Sequence, residues 1–132
     1  MKICVSAITD NLDSPVDPRF GRCRYFIIVE ADTMQFEAVP NTAGTAMHGA
    51  GIQAAQIVAS KGVNMVITGN VGPNAYQALT SAGVKVVGNT SGTVREVVEQ
   101  YKKGDLTETK APTVGGHFGS GRGMGRGRQR GF

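Results

Sequence analysis

The spacing of apolar positions along this chain changes from two to about three and a half residues and back, which separates strands from helices. Residues 2–8 (KICVSAI) alternate, with Ile3, Val5 and Ala7 on one face and Cys4 and Ile8 on the other. Residues 25–30 (YFIIVE) read as a second strand. Residues 33–39 (TMQFEAV) alternate again, with Met34, Phe36 and Ala38 together. The two residues between them, Ala31 and Asp32, predict a β-hairpin. Val63, Met65, Val66 and Ile67 form a nearly continuous apolar run, as in a strand buried on both faces. Residues 84–87 (VKVV) are a further short strand.

Three stretches carry the longer period. From Ala50 the stripe is Ile52, Ala55, Val58 and Ala59, closed by Lys61 and Gly62. Pro73 suits a first helical position, Ala75, Ala78, Leu79 and Ala82 follow it, and Gly83 ends the run. Val94, Val97, Val98 and Tyr101 fall at i, i+3, i+4 and i+7, opened by a capping box of Thr93 and Glu96 and stopped at Gly104. The order is β-β-β-α-β-α-β-α: a hairpin attached to parallel strands joined by helical crossovers, giving a mixed sheet with helices packed on it. The strands ending at Ile8 and Thr68 are expected to be adjacent and parallel. The loop 9–23 then lies beside the turn 69–74, at the carboxyl ends where such sheets bind ligands. The N–H groups of residues 70–75 either face an anion there or belong to a plain connection.

Charge redraws the boundaries. Up to Lys110 there are ten Lys or Arg and ten Asp or Glu; beyond it come Arg122, Arg126, Arg128 and Arg130 and no acid. The whole excess lies in the last residues, so the preceding part gives no general case for nucleic-acid binding. From Ala111 onward eight of 22 residues are glycine and Val114 is the one aliphatic residue. We expect one domain over 1–108 and a disordered Gly/Arg-rich tail over 109–132, too poor in apolar surface to offset its ordering entropy. The chain has no apolar run near the roughly 20 residues of a membrane span and no signal peptide, so a cytoplasmic protein is expected.

No standard catalytic set is present. The strands offer only Glu30 and Glu37, too few carboxylates for two-metal phosphodiester cleavage. His48 and His117 are the only histidines and no serine occupies a nucleophile elbow. The glycine turns match neither a Walker loop nor a dinucleotide fingerprint. Asp10, Asp13 and Asp17 lack calcium-loop spacing and read as turn and cap residues. What remains is soft and cationic: Arg19, Arg22, Cys23, Arg24, Met47 and His48. Cys23 is either a half-buried thiol or a metal ligand activated by its arginines. His48, just before a helix, is either a surface histidine or a ligand. Arginines beside a thiol suit an anionic, sulfur-rich ligand.

The segments SPVDPRFGR at 14–22, HGAG at 48–51 and TGNVGPNA at 68–75, followed by Leu79 and Ala82-Gly83-Val84, resemble the dinitrogenase iron-molybdenum cofactor biosynthesis family over roughly residues 1 to 103. The resemblance implies a ribonuclease H-like three-layer α/β/α fold with a five-stranded mixed sheet and no nuclease activity. It implies non-enzymatic binding, carriage or assembly of an iron-sulfur or molybdenum-containing cluster, with cluster-assembly or cluster-accepting proteins as partners. The chain is then a monomer or weak homodimer. Carried over onto this sequence, Arg19, Phe20, Gly21, Arg22, Gly49, Asn70, Gly72 and Asn74 are expected around the cluster, and Cys23 and His48 as metal ligands. Two other readings are a nucleic-acid-binding protein acting through the Arg/Gly tail and a small anion-binding regulatory module. The three loops 19–23, 47–51 and 70–74 are expected to meet at one end of the sheet.

Overall fold

A computed structural model of the chain describes residues 1–113. Its elements run β1 (Lys2–Ala7), a single 3₁₀ turn (Phe20–Arg22), β2 (Tyr25–Glu30), β3 (Phe36–Pro40), α1 (Ala50–Ser60), β4 (Met65–Ile67), α2 (Pro73–Ser81), β5 (Lys85–Val87) and α3 (Val94–Lys102). The five strands form one mixed sheet in the order β3-β2-β1-β4-β5. The β1–β2 and β2–β3 pairs are antiparallel, and β1–β4 and β4–β5 are parallel. No helix among the described residues is long and apolar enough to cross a membrane.

The alternation in β1 decides the layering. Ile3, Val5 and Ala7 point to a core shared with Ile27, Val29, Met65, Ile67 and Val87, and α3 closes it with Val94, Val97 and Val98. Cys4 points the other way, to Phe26, Ile28, Val66 and Val86, under Ala54, Ala55 and Val58 of α1 and Ala75 and Leu79 of α2. The result is three layers, α3 below the sheet and α1 and α2 above it. The capping box at Thr93 forms: its hydroxyl accepts from Glu96 N at 3.1 Å while Glu96 Oε1 accepts from Thr93 N at 2.9 Å.

Three local expectations are corrected. The hairpin turn is longer than two residues, because Glu30 N donates to Gln35 O at 2.8 Å and Met34 takes the left-handed conformation at φ 63°. Strand β3 therefore begins at Phe36, which is 44 % exposed at the sheet edge. In α1, Ala54 is buried and Ile52 is exposed, since close contact with α2 favours the smaller side chain. Finally, chain order does not stop at 108. Thr109 N donates to Val86 O at 2.7 Å and Thr113 N to Val71 O at 3.0 Å, so residues 109–113 lie against the domain. The rest of the expected tail, with its arginines, lies outside the described residues.

Candidate functional site

The carboxyl ends of β1 and β4 are fastened together by a buried hydroxyl chain. Ser6 Oγ donates to Asp17 O at 2.7 Å and stands 2.7 Å from Thr68 Oγ1. With its one proton committed to Asp17, Ser6 must accept from Thr68. Asp17 N returns to Ser6 O at 2.9 Å, which pins the 9–18 loop across the strand end. Next in the chain, Asn70 N donates to Pro18 O at 2.7 Å and Phe20 N to Asn70 O at 3.3 Å. The turn after β4 and the segment before β2 are thereby zipped side by side, as the expected β1–β4 adjacency requires.

The third loop joins them through glycine. A Cβ placed on Gly21 would lie 3.1 Å from the Gly51 Cα, and one on Gly51 would lie 3.1 Å from the Ala75 Cβ. The 3₁₀ turn, the start of α1 and the first turn of α2 are thus in backbone contact, a closeness that side chains would forbid. The loops carrying residues 19–23, 47–51 and 70–74 do converge at one end of the sheet. Arg22 fastens the approach to α1: its Nη1 donates to Gly44 O at 3.0 Å and Ala46 O at 2.6 Å. Asn41 Nδ2 holds the same turn from the other side, donating to Gly21 O at 3.1 Å and Cys23 O at 2.9 Å.

Individual residues divide between framework and surface. Phe20 is buried, its ring centroid 5.4 Å from that of Phe26, and so packs the core and does not face a ligand. Cys23 is 1 % exposed, and its thiol donates to Phe20 O at 3.3 Å. Burial, with a smaller contribution from the charge of Asp17, pushes this thiol up to about 12. Cys23, expected as a metal ligand, is thus a buried thiol bonded to the turn before it; Cys4, fully buried, is likewise shifted upward by burial. Arg19 is paired: Asp17, 1 % exposed, accepts from Arg19 N at 2.9 Å, Nε at 3.2 Å and Nη2 at 3.2 Å. A buried carboxylate therefore offsets the charge of Arg19. Asp13 is a surface partner of Arg95 at 3.4 Å, consistent with the turn-and-cap reading of the loop.

His48 and Met47 are exposed, Met47 at 86 %, immediately before the left-handed Gly49 that caps α1. Of the N–H groups expected to face a ligand, two are already used: Asn70 N by Pro18 O and Val71 N by Thr113 Oγ1 at 2.7 Å. Gly72 caps α2 with extended backbone, and Asn74 lines a shallow groove of about 270 Å³ with Ile52, Gln77 and Ala78. Sequence reasoning missed the larger opening. A groove of about 320 Å³ is lined by Arg22, Cys23, Arg24, Tyr25, Pro40, Asn41, Gly44 and Thr45. Arg24 also borders a second opening of about 210 Å³ with Ile8, Thr9, Asp10 and Tyr25. Among the described residues neither Arg22 nor Arg24 pairs with a carboxylate, and no three His, Cys, Asp or Glu side chains are grouped to hold a metal ion.

Residues 1–104 match the dinitrogenase iron-molybdenum cofactor family. The chain belongs to that family. Among solved structures it resembles the apo form of the orange protein from Desulfovibrio gigas, at 44 % identity and TM-score 0.83 over 85 % of this chain and 95 % of that one. A NifB-like protein from Thermotoga is similar at 39 % identity and TM-score 0.71, covering 81 % and 91 %. An uncharacterized protein of Methanocaldococcus jannaschii is 35 % identical over 109 residues, 80 % of this chain and 89 % of that protein. Membership places the chain in a cofactor-related family, and the likeness to the orange protein extends to the fold.

Proposed function

We propose that this protein is a non-enzymatic carrier that holds a preformed, negatively charged iron-sulfur or molybdenum-containing cluster without bonding it to cysteine. The cluster is cargo, taken from assembly proteins and passed to accepting ones. One observation carries this reading: at the end of the sheet where the three loops meet, the cations are available and the thiol is not. Arg24, and Arg22 beyond its Nη1 bonds to Gly44 O and Ala46 O, border an open groove with no acidic partner among the described residues, while Cys23, which also lines it, is buried and donates its thiol proton to Phe20 O. Such a surface attracts an anion by charge and N–H donors. It offers at most one exposed borderline ligand, His48, and so favours a cluster that arrives assembled and leaves intact.

In this reading Arg22, Arg24 and the backbone around Gly49, Asn70, Gly72 and Asn74 surround the cargo. Asp17, Asn41, Gly21 and Gly51 hold them in place. The family and the likeness to the orange protein support a cofactor-related role. The test is anaerobic purification from the native host followed by metal and acid-labile sulfide analysis. Metal and sulfide together, retained in Cys23→Ala, are expected. Metal without sulfide, or metal and sulfide both lost in Cys23→Ala, would refute non-covalent cluster carriage.

A further inference from the structure

Beyond α3 the chain turns at Gly104 and crosses to the carboxyl ends of β5 and β4. There residues 109–113 are held almost wholly by hydrogen bonds. Thr109 N donates to Val86 O at 2.7 Å, and Gly88 N donates to Thr109 Oγ1 at 2.7 Å. Tyr76 Oη donates to Thr109 O at 3.2 Å. Thr113 N donates to Val71 O at 3.0 Å, and Val71 N donates to Thr113 Oγ1 at 2.7 Å. The site is shaped for this segment, since a Cβ on Gly88 would stand 2.4 Å from Thr113 Cγ2. Between these anchors Lys110, Ala111 and Pro112 are exposed, and none of the five residues buries a large apolar side chain. Leu106, packed against the lower core, is the last apolar anchor before them.

In two of these bonds side-chain hydroxyls accept from backbone N–H groups that a parallel sheet presents at its carboxyl end, and the Thr113 hydroxyl also donates to Val71 O at 3.4 Å. Val71 follows Asn70, which is bonded to the Arg19 loop, so the covered donor belongs to the convergence described above. We infer that residues 109–113 form a displaceable strap, with the Thr113 and Thr109 hydroxyls occupying positions that an anionic cargo takes over. This regulation rests on the carrier function proposed above. The exchange is directional. A charged acceptor makes an N–H bond about twice as strong as a neutral hydroxyl does. A segment with few buried apolar contacts opens locally at a small fraction of the stability of the whole domain. Binding of an anion releases the strap, and release of the strap raises affinity by the same factor.

The probe is tetrathiomolybdate, a small dianion with molybdenum–sulfur chemistry, added anaerobically to the full chain. Amide exchange followed by NMR reads the strap directly in the wild-type protein. Saturating probe is expected to slow exchange at Val71 and Gly88 and to speed it at least tenfold at Thr109 and Thr113. The double variant Thr109→Val/Thr113→Val, which keeps the side-chain shape and removes both acceptors, is expected to bind the probe three- to tenfold more tightly. Unchanged Thr109 and Thr113 exchange at saturation, or equal affinity in a folded double variant, would overturn the strap and leave the carrier reading standing. Absence of binding in both proteins would overturn strap and carrier together.

Discussion

Replacing Cys23 by alanine separates a core thiol from a cluster ligand. The change removes one buried sulfur from contact with Phe20 and Phe26 and deletes the donor to Phe20 O. The lost transfer free energy is close to that of one methylene, about 0.8 kcal/mol. The small cavity and the hydrogen bond bring the total to about 1–2 kcal/mol at pH 7. At roughly 4–8 °C per kcal/mol for a domain of this size, the melting temperature falls by about 5–15 °C. The deficit should then depend on pH with a defined sign. The folded-state pKa, about 12, is raised above the ordinary value of 9.0, so the thiol's contribution is intact below pH 9 and declines as pH rises toward 12. The decline is about 1.4 kcal/mol per pH unit, because the unfolded chain ionises first. Wild type therefore loses its advantage about one unit above pH 9, and the two stability curves cross near pH 10. Cys4 and the tyrosines are common to both proteins and cancel in the difference. Urea denaturation of both proteins at intervals from pH 7 to 10.5 measures this. A difference that stays constant across the range would refute the burial argument. So would an unaltered melting temperature accompanied by loss of cluster binding, which would return Cys23 to the role of ligand.

Three further changes probe the framework. Gly69→Ala drives a Cβ to 2.6 Å from Pro18 Cα and 2.9 Å from Pro18 Cβ, so the zipped segments must part; a loss of about 2–3 kcal/mol is expected by denaturant titration. Thr93→Ala removes the hydroxyl of the capping box and should cost about 1 kcal/mol, with the unfolding m-value unchanged. Arg19→Ala leaves the Asp17 carboxylate buried without its guanidinium. Since that guanidinium side chain is 65 % exposed, we expect only a modest loss of stability by denaturant titration. Probe affinity should change less than threefold, because Asp17 already offsets this charge.

The layering was legible because it rests on local patterns. Alternation in residues 2–8 assigned Ile3, Val5 and Ala7 to one core and Cys4 to the other, and Thr93 with Glu96 marked the start of α3 before any contact was known. Helix α1 was harder, since AGIQAAQIVAS carries alanine on several faces and no single stripe stands out. The site was legible as a place and not as a set of roles. Cys23 has arginine neighbours in sequence, but its spatial neighbours, Phe20 and Phe26, arrive through a turn and a strand pairing. Asp17 looks like the other loop aspartates until the fold buries it, with its backbone carbonyl held by Ser6. Thr109 and Thr113 disappear into a segment whose average composition resembles disorder, although their hydroxyls and backbone N–H groups bond to the ends of β4 and β5. Asn41, which ties Gly21 and Cys23 to the next loop, carried only the general turn signal of asparagine.

In the proposed function Arg22 and Arg24, not Cys23, hold an anionic metal–sulfur cargo. Anaerobic titration with tetrathiomolybdate at two salt concentrations, on wild type, Arg24→Ala, His48→Ala and Cys23→Ala, tests it most directly. Arg24→Ala is expected to bind roughly tenfold more weakly, with a shallower salt dependence and an unchanged melting temperature, since one charge-assisted contact is worth about 1.5 kcal/mol or more. A smaller loss is expected for His48→Ala and an affinity within twofold of wild type for Cys23→Ala. Wild-type affinity in Arg24→Ala together with abolished binding in Cys23→Ala would contradict the proposed function.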